Sequence, residues 1–273
     1  MKFTILGSSG FIGSHLAAFL QKQGYECFLP AKDHVFSKNE NLGHVIYAIG
    51  LTSDFRKKPM ETVKAHVCKL VEVVENSIFE SFLYLSSTRI YNGNENGNET
   101  TTFFVNPADF SDLYNISKLM GESICLSISN EKVRVARISN VIGNDFNSDN
   151  FLFSLIRGAV DKQEIKLEVS AEASKDYICI DDVINLIQLI ALKGKSRIYN
   201  ISSGQSLSNG QLLEEIKKNT NCKIEFLNSL DSLLFPIIQN EKIKNEFSYV
   251  PKNILTEIKI LIKNYKEKKY DKY

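Results

Sequence analysis

Two residues four apart near the middle of the chain have the types needed to move a proton at a carbonyl oxygen. Tyr114 and Lys118, in Tyr114-Asn115-Ile116-Ser117-Lys118, share one face of any helix that holds both. A free phenol ionises near about 10 and is a poor acid–base group at neutral pH. A cation held beside it stabilises the phenolate and lowers that value. Such a pair can pass a proton to or from an oxygen while hydride moves at the attached carbon, worth roughly 10²–10⁴-fold in rate. The spacing also occurs by chance in many helices. A second element supports it: Phe82–Leu85 reads as a strand running into Ser86, Ser87 and Thr88. Ligands in open α/β sheets sit at such carboxyl ends, where Ser87 or Thr88 can hydrogen-bond a substrate oxygen. The bland reading is a strand-end turn, where serine is common.

Gly7-Ser8-Ser9-Gly10-Phe11-Ile12-Gly13 lies between an apolar run, Lys2–Leu6, and residues recurring at helical spacing (Phe11, Ile12, Leu16, Phe19, Leu20). The first glycine permits a tight turn, the second lets a pyrophosphate approach the backbone, and the third lets helix and sheet pack closely. The helix start offers free N–H groups and a positive dipole end. This predicts a nicotinamide dinucleotide site with contacts at Gly7, Ser9, Gly10, Phe11, Ile12 and Gly13, at Ala48 near the end of the third strand, and at Lys32, Tyr114 and Lys118. The spacing is G-x-x-G-x-x-G rather than G-x-G-x-x-G. An acid after the second strand would hold the ribose hydroxyls of NAD, and a base the 2′-phosphate of NADP. That strand ends Phe28-Leu29-Pro30-Ala31-Lys32-Asp33. Ala31 and Lys32 favour NADP, with NAD, through Asp33, the alternative.

These residues need a scaffold of alternating strands and helices. Further strands are expected at Tyr25–Leu29, Val45–Ile49 and Val133–Ile138. A long helix carries Val63, Val67, Leu70, Val71 and Val74 on its apolar face, and another spans Leu113–Ile128. The alternation predicts an α/β fold, a Rossmann-type doubly wound parallel sheet. Residues 1–143 form its dinucleotide-binding part. Residues 144–273 form a smaller C-terminal α/β region that binds substrate, with crossings back to the sheet at about 177–201. Asn92–Thr102 reads as a polar loop at the cleft rim, and Lys263–Tyr273 as a solvated helix end or frayed tail.

The chain has 273 residues, 43% hydrophobic, with a net charge of +1, so no global attraction to nucleic acid is expected. No apolar run reaches the length of a membrane span, and the first residues read as a strand rather than a signal peptide. Five scattered cysteines without C-x-x-C spacing argue against a disulfide framework and against a metal site. They suggest thiols in a reducing, cytoplasmic setting. His15, His34, His44 and His66 show no ligand spacing and read as packing or surface residues.

Together these motifs resemble the extended short-chain dehydrogenase/reductases, a family of nucleotide-sugar epimerases, dehydratases and ketoreductases. Gly7–Gly13 is similar to its cofactor loop, and Tyr114 and Lys118 to its catalytic pair. Ser86-Ser87-Thr88-Arg89-Ile90-Tyr91 resembles its serine-serine strand end followed by valine-tyrosine, which puts Ser87 in the catalytic serine/threonine place. Arg137-Ile-Ser-Asn140-Val141-Ile142-Gly143 is similar to R-x-x-N-V-Y-G, whose asparagine contacts the nucleotide sugar. Lys175-Asp176-Tyr177 and Tyr199-Asn200-Ile201 resemble R-D-F and Y-N-I segments. One βα unit before Val45 is shortened. The resemblance implies catalysis by Ser87, Tyr114 and Lys118, and substrate contacts at Ser87, Thr88, Tyr114 and Asn140. Dehydratases carry an acid pair where this chain has Thr88 and Arg89, which disfavours dehydration. The expected reaction is NADPH-dependent reduction of a keto group on a nucleotide-linked sugar or deoxysugar, with Tyr114 as general acid. An NAD-dependent C4 epimerase is the alternative, and a non-catalytic dinucleotide sensor or scaffold lies further off. A homodimer paired through two outward-facing helices is expected by resemblance.

Overall fold

Each apolar run flanked by glycine becomes a strand, and each stretch of helical periodicity becomes a helix packed on it. The computed structural model describes all residues except 52–54, 147, 149, 228–234 and 271–273. β1 (Lys2–Leu6) leads through the glycine turn into α1 (Phe11–Lys22), and β2 (Glu26–Phe28) follows. A connection holding only β3 (Glu40–Asn41) reaches β4 (His44–Tyr47). The next helix runs as α2 (Pro59–Val63), a π-helical turn (Lys64–Cys68) and α3 (Lys69–Asn76). Then come β5 (Ser77–Ile78), β6 (Ser81–Ser87), α4 (Leu113–Ser127), β7 (Val133–Ile138), β8 (Asn140–Ile142) and α5 (Phe151–Arg157). β9 (Glu164–Leu167), β10 (Ser174–Cys179), α6 (Ile180–Lys193), β11 (Ile198–Ile201) and β12 (Ser206–Ser208) follow. α7 (Asn209–Thr220), β13 (Lys223–Phe226), α8 (Glu241–Phe247) and α9 (Ile254–Tyr270) complete the chain.

Six parallel strands form the main sheet in the order β11-β7-β6-β4-β1-β2. From β1 the chain steps outward to β2, then returns to the other side of β1 as β4. The winding therefore reverses between β1 and β4, and the crevice beyond their carboxyl ends is where such sheets bind ligands. No helix lies between β2 and β4, so the shortened unit is real: β2 is the sheet edge, three residues long.

Leu16 and Leu20 of α1, Val183 and Ile187 of α6, and Ile243 of α8 cover one face of the sheet. Leu70 and Val73 of α3 and Cys125 of α4 cover the other. β4 and β7 are buried along their whole length, as expected of parallel strands sandwiched by helices. Each fully buried aliphatic side chain is worth about 1.5–3 kcal/mol. Beside the sheet, α5, α7 and α9 close a separate core around Ile156, Tyr177, Leu212, Ile216 and Ile258. It includes the three-stranded sheet β12-β10-β8 and the parallel pair β13-β9.

Two segments that the sequence left open take a definite form. Of the two readings of the C-terminal run, the helix end holds: Lys263–Tyr270 is the second half of α9, seated by Ile254, Ile258, Leu261 and Ile262. The Asn92–Thr102 loop is pinned rather than loose. Gly97 bridges to Ile238, and its carbonyl accepts from Asn200 Nδ2 at 3.0 Å. No helix among the described residues is long and apolar enough to cross a membrane.

Candidate active site

At the end of β1 the chain turns through Gly7, whose φ of +87° favours glycine. A Cβ on Gly7 would lie 2.8 Å from the Ala48 carbonyl group. Gly10 is the N-cap of α1, with no side-chain cap and no acid in the first turn. Ser9 and Gly10 face solvent, so the first amides of α1 open outward. That is the donor set a pyrophosphate needs. A Cβ on Gly13 would lie 2.2 Å from the Gly7 carbonyl oxygen, which is how closely α1 packs on the turn. Phe11 packs against the core while Ile12 is partly buried beside it. Ala48 donates its N–H to the Leu6 carbonyl at 2.8 Å, on the same crevice wall. Lys32 lies exposed on the turn after β2.

Across the crevice, β6 ends at Ser87 and α4 begins one residue before Tyr114. A short 3₁₀ turn, Phe110–Asp112, sets that start, and Asp109 caps it by accepting the Ser111 N–H at 2.8 Å. The Ser87 hydroxyl lies near enough to the Tyr114 phenol to act on its acidity. Burial pushes the phenol above its ordinary pKa, while the Ser87 hydroxyl and the nearby Arg89 charge pull it partly back. Lys118, one turn along, is buried and donates to the Leu85 carbonyl at 2.9 Å. Its ammonium also faces the Tyr84 ring, 5.1 Å from the centroid. Burial lowers its pKa to about 7, opposed by the charge of Glu122. The structure thus unites Ser87, Tyr114 and Lys118, the last two being 4% exposed. The charge that acts on the Tyr114 phenol here is that of Arg89, while the Lys118 ammonium donates to the Leu85 carbonyl.

His66, which the sequence reading took as a packing or surface residue, is fully buried beside Tyr114. Its ring lies 5.2 Å from the Tyr114 ring, edge to face. Leu51 N–H donates to Nε2 at 3.3 Å, so Nδ1 carries the proton and donates to Ser117 Oγ at 2.8 Å. Ser117 then donates to the Tyr114 carbonyl at 2.9 Å. Burial, with the Lys118 charge second, lowers the imidazole pKa to about 2. His66 sits in the π-helical turn, a distortion common at functional sites. The available signal was a polar residue interrupting the Val63–Leu70 apolar face. A Cβ on Gly50 would lie 3.4 Å from His66 Nε2 and 3.5 Å from Lys118 Nζ. Gly50 itself is exposed, so a polar cradle opens to the crevice. The open amides of α1 and this cradle suit the two ends of a dinucleotide.

Other expected contacts lie elsewhere. Thr88 is buried, with its hydroxyl 3.5 Å from the Ile138 carbonyl it donates to. Asn140 is exposed and uses Nδ2 to donate to the Asp176 carbonyl at 2.8 Å. Asp176 is buried and accepts from Ser203 N–H, Ser203 Oγ and Gln205 N–H, tying β10 to the turn after β11. Burial raises its carboxyl to about 6 against those donors. Three further motif residues meet in one buried network. Arg137 clasps Glu122 of α4 (Nη2 to Oε2 2.8 Å) and donates to Tyr91 Oη at 2.7 Å. Tyr91 donates to Asn200 Oδ1 at 2.9 Å.

Residues 3–202 match the model of the NAD dependent epimerase/dehydratase family. The chain belongs to that family. Among its members, the GDP-6-deoxy-D-mannose reductase of Pseudomonas aeruginosa is 25% identical over 254 residues, 82% of this chain and 81% of the relative. The dTDP-4-dehydro-6-deoxyglucose reductase of Escherichia coli is 28% identical over 176 residues, 61% of this chain and 54% of the relative. A solved RMD from Pseudomonas aeruginosa, complexed with NADPH, superposes with a TM-score of 0.79 at 19% identity, covering 98% of this chain and 99% of that one. The fold of this epimerase/dehydratase family member is thus the Rossmann-type sheet that its alternation of elements implies.

Proposed function

We propose that the protein reduces a keto group on a nucleotide-linked sugar, using NADPH. The observation that carries this reading is the juxtaposition of Ser87 and Tyr114 at the carboxyl edge of the sheet, with Lys118 one turn away. The dinucleotide, when bound, supplies hydride to the carbonyl carbon. Tyr114 gives its proton to the oxygen that becomes an alcohol, and Ser87 hydrogen-bonds the same oxygen. A buried phenol with a raised pKa is protonated at neutral pH, the state a general acid must start from. Lys118 and His66 form the polar cradle beside Gly50 and hold the nicotinamide end, while Gly7–Gly13 takes the pyrophosphate. Ala31 and Lys32 after β2 support NADP over NAD. Two relatives that are reductases support reduction over epimerisation.

Tyr114→Phe is the test. It is expected to lower NADPH-dependent turnover of a panel of keto-sugar nucleotides by roughly 10²-fold or more, with NADPH affinity kept. Undiminished turnover overturns the assignment. Purified protein that retains a nicotinamide absorbance band, and turns over without added NADPH, points instead to an epimerase. A steady-state preference for NADH overturns the cofactor choice.

A further inference from the structure

The ring of Phe55 carries two guanidinium groups. Arg56 Cζ lies 4.5 Å and Arg89 Cζ 5.2 Å from its centroid. Arg89 Cζ also lies 5.8 Å from the Tyr114 ring, which is itself 5.3 Å from Phe55. Arg89 Nε is sealed from solvent and has no hydrogen-bond partner. Burial, and then the charge of Arg56, make the Arg89 cation harder to hold. Lys175 adds a third positive charge, since Arg89 helps to lower its pKa after burial.

Asp109 and Asp112 are near enough to be felt by Arg89. Neither pairs with it: Asp109 accepts from Ser111, and Asp112 from Asn106 and Asn115. Among the described residues, no carboxylate forms a salt bridge with Arg56 or Arg89. Like charges gathered on one aromatic ring, one of them half-buried and without a counter-ion, are eased when an anion joins them. A guanidinium fork matches the two oxygens of a carboxylate.

The position of Arg89 says which anion. Its backbone N–H donates to Ser87 Oγ at 3.2 Å, and its side chain lies along Tyr114. It therefore flanks the point where both hydroxyls converge on the reacting oxygen. We propose that Arg89, with Arg56 beside it, binds a carboxylate on the sugar close to the reacting carbonyl. The substrate is then a nucleotide-linked keto sugar acid rather than a neutral deoxysugar. This rests on the reading of the preceding subsection and narrows it.

The test is calorimetric titration of NADPH-loaded protein with two matched pairs: UDP-glucuronic acid against UDP-glucose, and GDP-mannuronic acid against GDP-mannose. These alcohols cannot accept hydride from NADPH, so the titration reads binding alone. The acid of at least one pair is expected to bind roughly tenfold or more tightly, the worth of one charge-assisted hydrogen bond. Arg89→Gln and Arg56→Gln should each bring that ratio to within about twofold of one. Arg56 is exposed, so its substitution places no demand on folding, and Arg89→Lys should keep part of the preference. Equal affinities within each pair, or a preference that survives both substitutions, overturns the proposal. So does Arg89→Gln weakening acid and neutral partner alike, which would place Arg89 on the diphosphate. Protein that binds NADPH but neither pair defeats the nucleotide-sugar reading itself.

Discussion

Lys118 is held where an ammonium ion is least at ease, buried beneath Gly50 with one carbonyl to donate to. Its folded pKa, about 7, lies far below the 10.5 of a free lysine. The unfolded chain therefore binds a proton that the folded chain resists between those values, and stability rises with pH across that window. Lys118→Met is expected to abolish turnover yet raise stability by about 1–3 kcal/mol near pH 7. The gain should shrink as pH climbs towards 10.5, as followed by denaturant unfolding at several pH values. His66 has the same sign. The free side chain takes a proton near 6.5, whereas the folded one refuses it until about 2. Histidine nitrogen NMR should find a neutral ring with the proton on Nδ1 from about pH 4 upward, and acid should erode stability below about 6.5. An imidazolium form at neutral pH would refute the bonding described. Tyr114, Lys118 and Ser87 were legible in the sequence because each has a spacing or strand-end signature. His66 and the charge of Arg89 over Tyr114 were not, since their roles arise only when separate elements meet.

The elements fix how finely that meeting is tuned. Gly13 leaves no room for a methyl group against the Gly7 carbonyl. Gly13→Ala is expected to push α1 off the turn and weaken NADPH binding by roughly tenfold or more, measurable by fluorescence titration. Gly121 does the same for α4: a Cβ there would lie 2.3 Å from the Tyr84 hydroxyl, which donates to the His66 carbonyl. Alternation of strands and helices was readable because parallel strands and amphipathic helices have different periods. The π-helical turn was not, because one extra residue in a helix leaves no compositional trace. β8 and β12, three residues each, are too short to show a pattern.

At the scale of the molecule, Glu122, Arg137, Tyr91 and Asn200 bind α4, β7, the 3₁₀ turn after β6 and β11 into one unit. The motif residues Arg137, Tyr91 and Asn200 thus act as internal struts. Glu122→Ala should cost about 3–5 kcal/mol, because it strands a buried guanidinium, and a chemical denaturation midpoint would report it. The expected homodimer belongs to the same scale; size-exclusion chromatography with light scattering would register it.

The short edge strand β2, with no helix after it, leaves Leu29 and Ala31–Asp33 open on their outer side. A dinucleotide seated in the crevice would be gripped at its pyrophosphate and nicotinamide ends, with little protein folded over its adenosine. Its residence time would be brief. In the proposed reduction, such a molecule would serve as a consumable that arrives reduced and departs oxidised in each cycle, and the pace of turnover would follow the reducing state of the surroundings.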